Sequence, residues 1–300
     1  MSCAFCFLRN KVCTNNELSS DEILVLTENI ATNTQWKPDA IWLTGGEPTI
    51  IESLPEVVGI FEKSGIRSII TTNGLCNSNS LNRIISSNPK GITVSLEVKK
   101  DNSDVNLRDF RDKVRTNIQQ IAKNKSEYTT LGVSCVLFPN IITSLSDFAK
   151  EMKELGVEYL SVNPVIGHRK PYTLQDFNEL ESQIKYISAV IGLRMPSQFF
   201  FSLVKDYYLS CSKKHFKCPA GSSFYFISPW GEWLPCSDER WQQGKEINQY
   251  LSTEVDFNLI QHNLESNYYV SNIFTDSECF SDRCIGCWKL YYDTIFTNNI

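Results

Sequence analysis

The chain has no stretch approaching the roughly 18 apolar residues of a membrane span, and its first residues lack the basic start and apolar run of a secretion signal. Both absences point to a cytoplasmic protein. Positive charge is not in excess either: 29 Lys and Arg against 34 Asp and Glu leave a net charge of −5 with the signs interspersed. A basic face for phosphate backbones is therefore not indicated, and no nucleic-acid role is read. Internal repeats and low-complexity linkers are missing, which excludes solenoids and tethered arrays. Histidine is scarce, and His168, His215 and His262 stand at no metal-ligand spacing, so none is assigned.

Cysteine, by contrast, is plentiful. Eleven cysteines in a 300-residue chain are poorly explained by disulfides, since a chain this long builds its own core and a reducing compartment keeps thiols reduced. Their placement is informative. Cys3, Cys6 and Cys13 crowd the start, Cys211, Cys218, Cys236, Cys279, Cys284 and Cys287 crowd the end, and only Cys76 and Cys135 lie between. Two metal sites are expected, with Cys76 and Cys135 as structural thiols.

Between the cysteine groups, short β-branched runs alternate with stripes of apolar residues at helical spacing, the pattern of βα units on a parallel sheet. Strands are expected at Ala40–Thr44, Arg67–Thr72, Gly91–Leu96, Leu131–Phe138 and Glu158–Val162. Helical stripes run through Leu54, Val57, Val58 and Phe61, through Leu107, Phe110, Val114, Ile118 and Ile121, and through Leu145, Phe148, Met152 and Leu155. An earlier helix starts at the capping-box pattern Ser19-Ser20-Asp21-Glu22, and a later one carries Leu180, Ile184, Ile187 and Ile191. Near Pro196 the alternation gives way to an aromatic-rich region with turn signals. The expected division is therefore a core over 1–195 and a second domain over 196–300.

In such an array, ligands meet the loops after the strands. The loop after the first strand is Gly45-Gly46-Glu47-Pro48: two glycines admit a ligand close to the backbone, and Glu47 offers a carboxylate that can accept from a cation. Read alone, it is also an ordinary glycine turn before a helix. In the last ninety or so residues, Cys218, Cys236 and the pair Cys284-Ile285-Gly286-Cys287 offer four thiolates, which suit tetrahedral zinc or a cubane iron–sulfur cluster.

Cys3-Ala4-Phe5-Cys6, followed some forty residues later by Gly45-Gly46-Glu47-Pro48 and then by Thr72-Asn73-Gly74, resembles the radical S-adenosylmethionine (SAM) superfamily and its signature C-x3-C-x-aromatic-C. Cys3, Phe5 and Cys6 match the second cysteine, the aromatic position and the third cysteine. The first cysteine would fall two residues upstream of Met1 and is absent, as is the strand that leads into the loop; an internal methionine of a longer reading frame is the expected reason, ahead of a truncated gene. The resemblance implies an α/β fold, a partial (βα)6-type TIM barrel, followed by a small cysteine-rich α+β domain. It also implies a [4Fe–4S] cluster on Cys3 and Cys6 that binds SAM, with Gly45, Gly46, Glu47, Pro48, Asn73, Ser95 and Glu97 as contacts. Reductive cleavage of SAM to a 5′-deoxyadenosyl radical, hydrogen-atom abstraction from a peptide or small molecule, and an electron donor such as flavodoxin or ferredoxin follow from the same resemblance. The C-terminal cysteines look like a Twitch or SPASM module, whose auxiliary [4Fe–4S] cluster on Cys218, Cys236, Cys284 and Cys287 would serve electron transfer. Against this stands a protein of another class, an inactive binding or scaffold protein in which only the C-terminal metal site assembles.

Overall fold

A computed structural model describes residues 17–34, 37–98, 111–164, 172–209, 226–229, 231 and 233–234. These fall into two compact units, one of residues 20–164 and 174–195 and one holding 17–19, 172–173 and the residues from 196 onward. Among the described residues, no helix is long and apolar enough to cross a membrane.

The first unit alternates helix and strand from α1 (Ser20–Thr32) and β1 (Ala40–Leu43) through α2 (Leu54–Lys63), β2 (Arg67–Thr72), α3 (Ser78–Ser86), β3 (Gly91–Ser95) and α4 (Arg111–Asn124). It continues with β4 (Thr130–Leu137), α5 (Leu145–Glu154), β5 (Tyr159–Pro164) and α6 (Leu174–Tyr186). The five strands pair in chain order, β1-β2-β3-β4-β5, and every pairing is parallel. Consecutive parallel neighbours joined by helices are what a partial TIM barrel requires. Each expected strand is present, β2 with the expected bounds and the others with one or both ends displaced by one or two residues; β5, for instance, runs on through Asn163 and Pro164.

The apolar stripes read from the sequence form the core where they are described, Leu107 and Phe110 lying outside the described residues. Val57, Val58 and Phe61 of α2, Val114, Ile118 and Ile121 of α4, and Leu145, Phe148 and Met152 of α5 are all buried, as are Ile69, Ile70, Ile92, Val94, Leu131, Val133 and Leu160 of the strands. Each such side chain contributes about 1.5–3 kcal/mol on leaving water. Alternation along the strands sorts the rest: Ser95, Ser134 and Ser161 stand in register across β3, β4 and β5, on the opposite side from Val94, Val133 and Leu160. Packing demands glycine at Gly132 and Gly156, among others. A Cβ on Gly132 would lie 2.3 Å from the Tyr159 ring, and one on Gly156, whose φ is +86°, would lie 2.7 Å from the Ala122 Cβ.

The expected helix through Ile187 and Ile191 changes character at its end. After Tyr186 the chain forms a π-helical turn, Ile187–Ile191, closed by Gly192 in the left-handed conformation with φ 71°. The second unit contains α7 (Gln198–Leu209) and a two-stranded antiparallel ribbon of β6 (Phe226–Ile227) and β7 (Trp233–Leu234). Within it the Leu18 N–H donates to the Pro229 carbonyl at 2.8 Å, and Tyr172 meets Tyr208 edge to face.

Candidate functional site

The loops that follow β1 and β2 lie side by side because their strands pair directly. Gly45 and Gly46 leave β1 exposed to solvent, and a Cβ built on either would meet no atom within 4 Å. Gly45 has φ +144°, a conformation closed to residues with a side chain, so a glycine is required there for the backbone as well as for access. Glu47 then turns extended and caps a short 3-10 turn, Pro48–Ile50, with Pro48 in the first position where its missing N–H is harmless.

The Glu47 carboxylate is the fastener of the site. Its Oε1 accepts from the Thr49 N–H at 3.2 Å, the Thr49 hydroxyl at 2.7 Å and the Thr72 hydroxyl at 2.7 Å, while Oε2 accepts from the Asn73 N–H at 2.7 Å. All four donors are neutral and belong to the chain, so within the fold Glu47 ties the β1 loop to the β2 loop. The β2 loop is knotted further by its own groups: Thr72 Oγ1 accepts from the Gly74 N–H, and Asn73 Oδ1 accepts from the Leu75 N–H. Asn117 on α4 reaches the same loop from the other side, its Nδ2 donating to the Gly74 and Cys76 carbonyls at 2.9 and 3.0 Å.

One strand further along, Ser95 ends β3 half-buried and in register with Ser134, whose hydroxyl accepts from Asn163 Nδ2 at 3.0 Å. The same amide donates to Ser161 at 3.1 Å, so the mouth of the sheet at β4 and β5 is lined with hydroxyl and amide groups. Glu97, 4% exposed, follows β3. Its Oε2 accepts from the Val136 N–H at 2.6 Å and its carbonyl accepts from Arg111 Nη1 at 2.7 Å, which fixes the backbone beyond β3. Arg111 is anchored in turn by Glu151 at 2.6 Å.

Neither central thiol has the environment of a nucleophile. Burial and the nearby Glu97 carboxylate push the Cys135 thiol up, and burial followed by the Glu47 charge does the same at Cys76. Among the described residues no group of three or more His, Cys, Asp or Glu side chains could hold a metal ion. Cys3, Phe5, Cys6, Cys218, Cys236, Cys284 and Cys287 lie outside the described residues. Of the expected SAM contacts, then, Gly45–Pro48, Asn73, Ser95 and Glu97 are brought to the carboxyl ends of three adjacent strands. Thr49 and Asn117 were not singled out from the sequence; Asn117 had left a signal, a polar residue inside the stripe of Val114, Ile118 and Ile121.

No family model matches the chain. A glycyl-radical enzyme activating enzyme, so named in Methanocaldococcus jannaschii, is 27% identical over 198 residues, 63% of this chain and 74% of the relative. A protein of Metallosphaera sedula named as a GTP 3′,8-cyclase is 27% identical over 222 residues, 69% of each. Among solved structures, Streptococcus suis SuiB bound to S-adenosylmethionine aligns with 91% of this chain at a TM-score of 0.65 and 17% identity. The chain spans 62% of the SuiB chain's length, and the SuiB complex with its precursor peptide SuiA aligns at a TM-score of 0.64 and 18% identity. At such identity the likeness shows the fold alone, a parallel βα array with its loops at the strand ends.

Proposed function

We propose that the chain is a radical SAM enzyme that binds SAM over the Gly45–Pro48 and Asn73 loops and acts on a peptide or small-molecule substrate. The observation that carries the reading is the pairing of those loops. An open diglycine backbone, held to the Asn73 segment by the half-buried Glu47 carboxylate, sits where βα arrays bind ligands and is available to a group that must approach the main chain closely. The donor set fits SAM: the open backbone at Gly45 and Gly46, the Asn73 side-chain amide and the polar Ser95 edge suit its amino, carboxylate and ribose groups. Cys3 and Cys6, with an upstream cysteine, would hold the SAM-binding [4Fe–4S] cluster, and Phe5 would shield it. When bound, that cluster supplies the electron that cleaves SAM reductively.

The chain's own residues have defined tasks in this reading. Gly45 and Gly46 admit the ligand, Glu47 keeps the two loops at fixed separation, and Arg111 and Val136 hold Glu97 and the backbone after Ser95 in place. Cys218, Cys236, Cys284 and Cys287 would hold an auxiliary [4Fe–4S] cluster in a Twitch- or SPASM-like second domain over 196–300, serving electron transfer. A flavodoxin or ferredoxin would supply the electron. A peptide substrate is favoured because SuiB is solved with a precursor peptide and one relative is named for activating another protein.

Anaerobic reconstitution with iron and sulfide tests the reading, using the 300-residue chain and a form extended upstream to include a cysteine two residues before Met1. The extended form is expected to carry about eight irons per chain and to release 5′-deoxyadenosine from SAM on reduction. About four irons and no 5′-deoxyadenosine in either form would refute the enzyme and leave a metal-binding scaffold.

A further inference from the structure

Asn117 is fully buried in the middle of α4, one residue from the core side chain Ile118. Its Nδ2 reaches out of the helix stripe to two acceptors of the β2 loop two residues apart, the carbonyls of Gly74 and Cys76. Two carbonyl partners fix the amide orientation, since the reverse would set oxygen against oxygen. The Oδ1 is then left buried with no hydrogen-bond partner among the described residues. A core position that keeps an unpaired acceptor incurs a desolvation penalty, and here that penalty accompanies two hydrogen bonds to the loop that no aliphatic side chain would make.

The loop held this way is under two further constraints. Gly74 has φ +72°, and a Cβ there would lie 2.7 Å from Val94 Cγ1 and 3.0 Å from Val114 Cγ1, so β3 and α4 press directly on it. On the opposite side, the Asn73 N–H is captured by Glu47. Asn73 therefore sits between a clamp from the β1 loop and a clamp from α4. We propose that Asn117 is a positioning residue of the SAM site, holding the Gly74–Cys76 backbone so that Asn73 is presented in one conformation. This rests on the SAM reading above and extends it to a residue that touches no ligand.

The test compares Asn117→Leu with Ile118→Val, which thins the same helix's core without reaching the loop. Amide hydrogen exchange over residues 73–76 is measured in the unliganded chain, and KM for SAM and kcat for 5′-deoxyadenosine formation are measured in the reconstituted extended form. Asn117→Leu should speed exchange of those amides and raise KM for SAM, each by roughly tenfold, with kcat changed far less. Ile118→Val should lower the melting temperature and do neither. If N117L does not fold, Asn117→Ser, which keeps one donor, takes its place. Equal effects of the two variants at matched melting temperature would overturn the proposal, as would faster exchange with KM unchanged. A wild-type protein that neither binds nor cleaves SAM would overturn the SAM reading itself and this role with it, and the exchange data would then report whether Asn117 braces the loop all the same.

Discussion

Replacing Glu47 by glutamine isolates its carboxylate as the link between the first two loops. The geometry leaves the amide no good orientation. With its oxygen kept on Thr49 and Thr72, its NH2 faces the Asn73 N–H, which in the parent chain has an acceptor at 2.7 Å; turned over, it faces the Thr49 N–H instead. One backbone donor is stranded either way, and the remaining bonds lose the assistance of the charge. Hydrogen bonds to a charged group contribute about 1.5–3 kcal/mol each, and Glu47 is only half-buried, so a loss of about 1–2 kcal/mol is expected. For a unit of this size that is a fall of roughly 2–8 °C in melting temperature. Thr72→Val removes the hydroxyl that donates to Glu47 at 2.7 Å and accepts from Gly74 at 3.0 Å. Because both variants break the same contact, the double mutant should lose less than the sum by about 0.5–1.5 kcal/mol in urea denaturation. Additive losses, together with an unchanged melting temperature for Glu47→Gln, would refute the fastening role. Weaker SAM binding without any loss of stability would assign the carboxylate to the ligand instead.

Three further outcomes follow from the fold. Gly132→Ala should destabilise the sheet by about 1–3 kcal/mol, measured by thermal or urea denaturation, because the new methyl meets the Tyr159 ring at 2.3 Å. Tyr128, whose hydroxyl donates to Glu62 at 2.7 Å, has its pKa pushed up to about 12 by burial and by that carboxylate. The unfolded chain gives up this proton near pH 10 while the folded one keeps it, so its contribution is present below about pH 10 and is lost as pH rises toward about 12. Tyr128→Phe should accordingly show a shallower fall in stability between about pH 9 and pH 11 than the parent chain. Cys135, 1% exposed, should resist alkylation by iodoacetamide in the native protein while reacting fully in urea, read by intact mass; rapid native labelling would contradict its burial.

The fold was legible because its signal is periodic. Strands of a parallel sheet with helices between them need apolar residues at every helical stripe position, and Val57, Val58 and Phe61 or Phe148 and Met152 satisfy that demand one residue at a time. What periodicity does not carry is the exact end of an element. Leu96 follows the last residue of β3 although its side chain is buried, because its N–H still pairs with the Ser134 carbonyl while the chain turns toward Glu97. The π turn at Ile187–Ile191 was invisible for a related reason: Ile184, Ile187 and Ile191 satisfy a helical stripe whether or not one turn is widened.

The site divides along the same line. Gly45, Gly46 and Glu47 announced themselves as a motif, yet the motif says nothing about where a carboxylate points, and its partners Thr49, Thr72 and Asn73 are distributed over two loops whose adjacency exists only once β1 and β2 pair. Asn117 is a harder case still. It lies 43 residues from Gly74, and only the crossover from β3 back over the sheet sets α4 against that loop. Its trace in the sequence was an inconsistency, an amide where the stripe calls for an aliphatic side chain, and such a local conflict is where a fold gives up stability for something else. The two clamps on Asn73 therefore make a joint prediction. Asn117→Leu and Glu47→Gln act on opposite flanks of one short loop, so their effects on exchange of residues 73–76 should be less than multiplicative, since releasing either flank already frees the segment. Independent, multiplicative effects would mean that each clamp holds its own part of the backbone, and that Asn73 is not the shared object of both.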